Sequence, residues 1–135
     1  MANALYDKAR QKFLEGSILY LTDTIKVLLV DIGFYTVNLA THEFLSDVPA
    51  GARVGTAQTL AGKTSAAGVA DANDVTFNTV TGNSVEALVL YKDTGVEATS
   101  PLIAYLDTAT GLPITPNGGN INVVWDNGAN KIFKL

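Results

Sequence analysis

The sequence predicts a mainly β domain: an antiparallel sandwich or barrel of about seven strands, with an N-terminal α-helix and one short helical turn. Three observations predict it. Apolar residues recur at every second position in short runs from residue 17 onwards. Turn signals rich in Gly, Asn, Asp and Pro separate those runs, as in antiparallel folds. No strand–helix–strand repeat appears after residue 50, which excludes a parallel α/β sheet. The 135 residues fit one domain spanning 1–135, with a helix in 1–16 and the β domain in 17–135.

The helix is expected over Asn3–Glu15. Leu5, Ala9 and Phe13 stack at i, i+4 and i+8, Tyr6 and Leu14 widen the stripe, Asn3 caps the start and Gly16 ends it. A helix this short must dock, either on the chain's own core or on a neighbouring subunit. Leu5, Tyr6, Phe13 and Leu14 are therefore the candidate interface residues.

Ser17–Leu21 and Thr24–Val30 read as strands separated by a break at Thr22-Asp23. In the second, Ile25, Val27 and Leu29 share one face and Lys26, Leu28 and Val30 the other, so the strand should be covered on both sides. Thr41–Ser46 reads as a helical turn capped by Thr41, with Pro49 after its end. Residues 50–74, rich in Gly, Ala and Thr, read as a flap with two or three short extended pieces. Asp74–Val80 alternates, placing Val75, Phe77 and Thr79 inward. Val85–Tyr91 is apolar on both faces and should be central in its sheet. Pro101–Leu106 follows, with Pro101 at the first position, where a strand tolerates it. Ile121, Val123 and Trp125 alternate with polar neighbours, and Asp126-Asn127-Gly128 predicts a hairpin returning through Lys131–Leu135.

Composition narrows the function classes. Disorder is excluded by a hydrophobic content of 47%. Charged residues make up only 16%, against about 25% in ordinary soluble domains; part of this surface is expected to lie against neighbouring chains. A net charge of −4 argues against nucleic acid as a partner. Without cysteine there is no disulfide, thiol nucleophile or thiolate metal site. The first fifteen residues lack the apolar core of a secretory signal. Ile18–Phe34 is interrupted by Thr22, Asp23, Thr24, Lys26 and Asp31 and is too polar to span a membrane. A soluble protein made inside the cell, without membrane partners, is expected.

The candidate chemistry is thin. Ala57–Thr64 satisfies the loosest phosphate-loop pattern, but no amphipathic helix follows Gly62-Lys63-Thr64, so the match is attributed to chance. Asp71-Ala72-Asn73-Asp74 opens like a calcium loop but carries Thr76 where Gly is needed and Gly82 where Glu is needed. His42 is the only histidine, no nucleophile-elbow spacing accompanies it, and Glu43 and Asp47 do not complete a metal set. Glu86, Asp93, Glu97 and Asp107 are scattered acids without an assigned pairing. Trp125, Tyr91 and Tyr105 would make a sugar platform only if exposed; their alternating strands favour packing. No catalytic residue, cofactor or metal site is predicted.

Several segments carry a resemblance: Ala2–Lys8, Asp23–Val27, Phe44–Pro49, Ala87–Gly95, Leu102–Pro113 and Trp125–Gly128. Together they resemble a group of small virion-structural proteins of tailed bacteriophages, over nearly the whole chain. The resemblance implies a non-enzymatic virion component, in the first instance a capsid decoration or cement protein binding across joints between major capsid protein subunits. A tail, neck or baseplate component is the alternative, followed by a host-surface or glycan-binding module. It also implies location in the virion after synthesis in the host cytoplasm. The partners would be the major capsid protein or other virion proteins, met in symmetric multiple copies or as a homo-oligomer. The helix face and a 51–68 flap are the expected contact elements.

Overall fold

The segments apolar on both faces form the middle of the principal sheet, because only there are both faces covered. A computed structural model describes residues 4–108, 112–125, 128–129 and 131–135. Ile25–Val30 (β2), Ala87–Lys92 (β7) and Leu102–Leu106 (β8) are adjacent in a five-stranded sheet. Its order is β1-β8-β7-β2-β3, where β1 is Ala4–Leu5 and β3 is Arg53–Thr59. Every pairing is antiparallel. The sheet ends in two edges, β1 and β3, and does not close into a barrel.

Two smaller sheets complete the fold. Thr64–Ala66 (β4) and Val69–Asp71 (β5) form a hairpin, and Phe133–Lys134 (β10) adds to β5. Val75–Phe77 (β6) pairs with Ile121–Val123 (β9), Val75 opposite Val123 and Phe77 opposite Ile121. The buried residues of all three sheets and the helix belong to one hydrophobic cluster. Among the described residues ten strands replace the expected seven, because several are two or three residues long, below what alternation alone can signal.

The helix is shorter than its apolar stripe. It runs over Asp7–Leu14 (α1), and Ala4–Leu5 is instead captured as an edge strand, Ala4 opposite Tyr105 and Leu5 opposite Ala104. The Tyr6 N–H continues this pairing to the Ile103 carbonyl at 3.1 Å. An open β8 edge thus outcompetes one more helical turn. The expected cap Asn3 lies outside the described residues; Tyr6 occupies the cap position without a side-chain bond. Gly16 ends the helix as expected, at φ +75°, with the Ser17 N–H on the Lys12 carbonyl at 2.8 Å and its own N–H on Phe13 at 3.3 Å. That pair of bonds is a Schellman cap.

Five further expectations change. Ser17–Leu21 is not a strand: the Asp23 carboxylate accepts the Leu19 N–H at 2.7 Å and curls the segment into a turn. The turn expected at Thr41–Ser46 forms later, at Leu45–Asp47, where the Asp47 carboxylate accepts the N–H groups of Glu43 and Phe44. The 50–74 flap contributes a full edge strand, β3, to the principal sheet, and only its 64–71 hairpin is an excursion. Thr79 is exposed, at φ +50°, where the chain leaves β6. Asp126-Asn127 lies outside the described residues; β10, which was to return along β9, pairs with β5 instead.

The 64–71 hairpin turns on Ala67 and Gly68, at φ +51° and +80°. Positive φ at both positions is the twist-matched two-residue turn, and Ala is strained there while Gly is not. Ala67→Asn is expected to raise stability by about 0.5–1 kcal/mol, read as a higher urea midpoint with unchanged slope.

Candidate docking groove

The segment after the helix cap sets up a groove. Ile18 and Tyr20 point inward and are buried, whereas Leu19 and Leu21 point outward and are 55% and 53% exposed. Asp23 holds this geometry. Its carboxylate caps Leu19, pairs with the Lys92 ammonium at 3.2 Å, and its carbonyl accepts from Lys63. Lys92 also donates to the Ser17 carbonyl at 2.8 Å. The turn is therefore tied to the principal sheet at both ends.

Across from it stand β4, β5 and the end of the chain. The Tyr20 hydroxyl donates to the Asp71 carbonyl at 2.7 Å, and its ring meets Phe133 edge-on at 5.6 Å. Phe13 reaches the same Phe133 at 6.1 Å. Between this aromatic floor and the exposed leucines lies a hollow of about 520 Å³, walled by Leu19 and Leu21 on one side and Ser65–Ala70 on the other. A second hollow of about 300 Å³, lined by Arg10, Phe13, Leu14 and Leu135, shares Phe13 and Leu135 with the first. The two form one apolar trough. Among the described residues Arg10 is the single charged side chain lining it, and it leans on Asp7 at 3.2 Å.

The structure divides the four candidate interface residues. Leu5 and Tyr6 are core residues, because capture of Ala4–Leu5 by β8 turns both inward; neither can meet a partner in this fold. Phe13 is half-buried in the trough, and Leu14, 89% exposed, stands at its end. Leu19, Leu21 and Leu135 were missed. The signal for Leu19 and Leu21 was present: apolar residues on both sides of a period-2 run leave one side without a core to enter.

The remaining candidates are absorbed by the fold. Lys63 of the phosphate-loop-like segment donates to the Asp23 carbonyl and lies over the Tyr20 ring, and the segment runs from β3 of the principal sheet to β4 of a smaller one with no helix. In the calcium-like segment, the Asp71 carbonyl accepts from Tyr20 and the Asp74 carboxylate from the Trp125 N–H. Among the described residues no group of three His, Asp or Glu side chains converges as a metal set. His42 Nδ1 accepts from the Asn38 N–H at 3.3 Å, so Tyr35, 2.8 Å away, must donate to it and Tyr6 to Tyr35. Burial pushes the Tyr35 phenol up to about 12, and holds the chain of hydroxyls protonated. Trp125, Tyr91 and Tyr105 are all buried, and the indole N–H donates to the Asn73 carbonyl at 2.9 Å, so these three do not form an exposed platform.

The acids disperse. Glu86 accepts the Ile32 N–H, and Glu97 pairs with Arg53. Asp93 accepts the Gly95 N–H and pairs with Lys26 at 3.0 Å, which together hold its carboxyl below the usual carboxylate range. A group held lower in the folded than in the unfolded state adds stability above its unfolded value, and loses it as pH falls through the folded one. Stability should therefore fall on acidification below about pH 4, and Asp93→Asn should flatten part of that slope in urea titrations at successive pH values.

No helix among the described residues is long and apolar enough to cross a membrane. No family model matches the chain, and no curated protein matches it.

Proposed function

We propose that this chain is a non-enzymatic structural protein of a tailed-bacteriophage virion, most specifically a capsid decoration or cement protein seated on the major capsid protein. The observation that carries the reading is the trough, where Leu14, Leu19, Leu21 and Leu135 are presented to solvent around an aromatic floor. Isolated exposed leucines are ordinary, but four around one concavity mark a surface that gains by being covered. The polar side chains singled out for chemistry are meanwhile engaged in holding the fold. The likeness of the sequence to small phage virion proteins supplies the partner. Repetition by symmetry lets each contact stay small while the assembly holds firmly.

The test is quantitative mass spectrometry of particles purified from a lysate of the phage that encodes the chain. Many copies per head, lost when empty tails are assayed alone, are expected. A few copies that follow the tail would move the assignment to a tail, neck or baseplate component. Absence from the particle would overturn both.

A further inference from the structure

We propose that the trough receives an extended, uncharged apolar segment of the partner chain, which adds as a strand to the open edge of β4. This rests on reading the trough as a docking surface and names the kind of segment that fills it. β4 has a strand on one side only, β5, and its three residues Thr64, Ser65 and Ala66 are all exposed. The two-residue turn at Ala67-Gly68 makes Ala66 and Val69 the hydrogen-bonded pair, so Ser65 and Ala70 are the non-bonded pair of the ladder. The Ala70 carbonyl accordingly faces the other way, accepting the Ile132 N–H at 3.1 Å. Ser65 therefore directs both its N–H and its C=O to the open side, where nothing among the described residues pairs with them.

Exposed edges are ordinarily blunted by charge, proline or a bulge. β4 has none of these. The adjoining Lys63 is drawn away to the Asp23 carbonyl, and Asp71 and Lys134 stand on the paired side of β4, in β5 and β10. Beside the edge lies the trough, walled by Leu19 and Leu21, so one face of an added strand enters an apolar hollow while its backbone meets Ser65. Size argues against a second copy of the chain as the occupant. A stable dimer face engages roughly 20–30 residues a side, about twice the number lining the main hollow. A single strand with alternating apolar residues fits that scale. With Arg10 the only charged lining side chain among the described residues, and that one already paired with Asp7, the segment should be uncharged.

The test uses the full chain as bait for a random dodecapeptide display library. Selected peptides are expected to alternate apolar residues, bind at micromolar strength, and slow hydrogen exchange of the Ser65 amide at least tenfold. Ser65→Pro removes the outward donor without touching the β5 ladder and should weaken these peptides at least tenfold. If that variant fails to fold, Ser65→Lys, which places a charge on the edge, serves instead. Peptides without alternation, equal binding by the variants, or no enrichment over a bait-free control would overturn the proposal. So would a dimer of the wild type that Ser65→Pro dissociates, since a second copy would then be the occupant. The virion reading fails separately: it falls if the chain is absent from particles, whereas Ser65→Pro protein decorating particles like the wild type would sink only the added strand.

Discussion

Leu90→Ala is expected to destabilise the domain by about 3–4 kcal/mol, enough to lower the thermal midpoint by roughly 10 °C or more. Leu90 sits in β7 with Val27 of β2 opposite on one side and Ala104 of β8 on the other, and it is fully buried. Truncation there removes apolar contact and leaves a cavity that two ladders prevent from collapsing. Leu14→Ala is the matched control. It removes the same atoms from a side chain 89% exposed and should change stability by no more than about 0.5 kcal/mol. Urea denaturation of the pair reads the difference directly. A cost below about 1 kcal/mol at Leu90 would mean that β7 is not the centre of the core.

The second large effect is on assembly. Replacing Leu19 and Leu21 together by Ser should lower affinity for stripped particles at least tenfold, since fully burying one leucine contributes roughly 1.5–3 kcal/mol and about half of each side chain is still open to solvent. Stability should hardly move, because both side chains already face solvent in the free chain. Binding measured by co-sedimentation, with the thermal midpoint as control, separates the two quantities. Unchanged decoration by this variant would remove the trough from the interface.

How much of this was legible in the sequence depended on where each residue's partner lay. β2 and β7 were readable because their two-sided apolar runs require cover on both faces, whereas β8 was readable as a strand but not as an inner one. Gly16 was readable because a helix cap is a local event. Leu5 and Tyr6 were misplaced because a helical period is indifferent to the β8 edge, which lies about a hundred residues away in the chain. Ser17–Leu21 was misread because alternation cannot announce that the Asp23 carboxylate will turn back onto the Leu19 N–H. Half of the trough was visible, in Phe13 and Leu14. Its other wall depends on β10 choosing β5, a pairing that brings Leu135 and Phe133 beside the helix and leaves no local trace.

Whether this face meets the shell of a virion is read from a cryo-electron microscopy reconstruction of the intact particle at side-chain resolution. Symmetric copies of the chain are expected on the head, with Leu19, Leu21 and Leu135 covered by a neighbouring chain and a partner strand beside Ser65. Copies bound to the head through another face, with these leucines still open to solvent, would contradict this expectation.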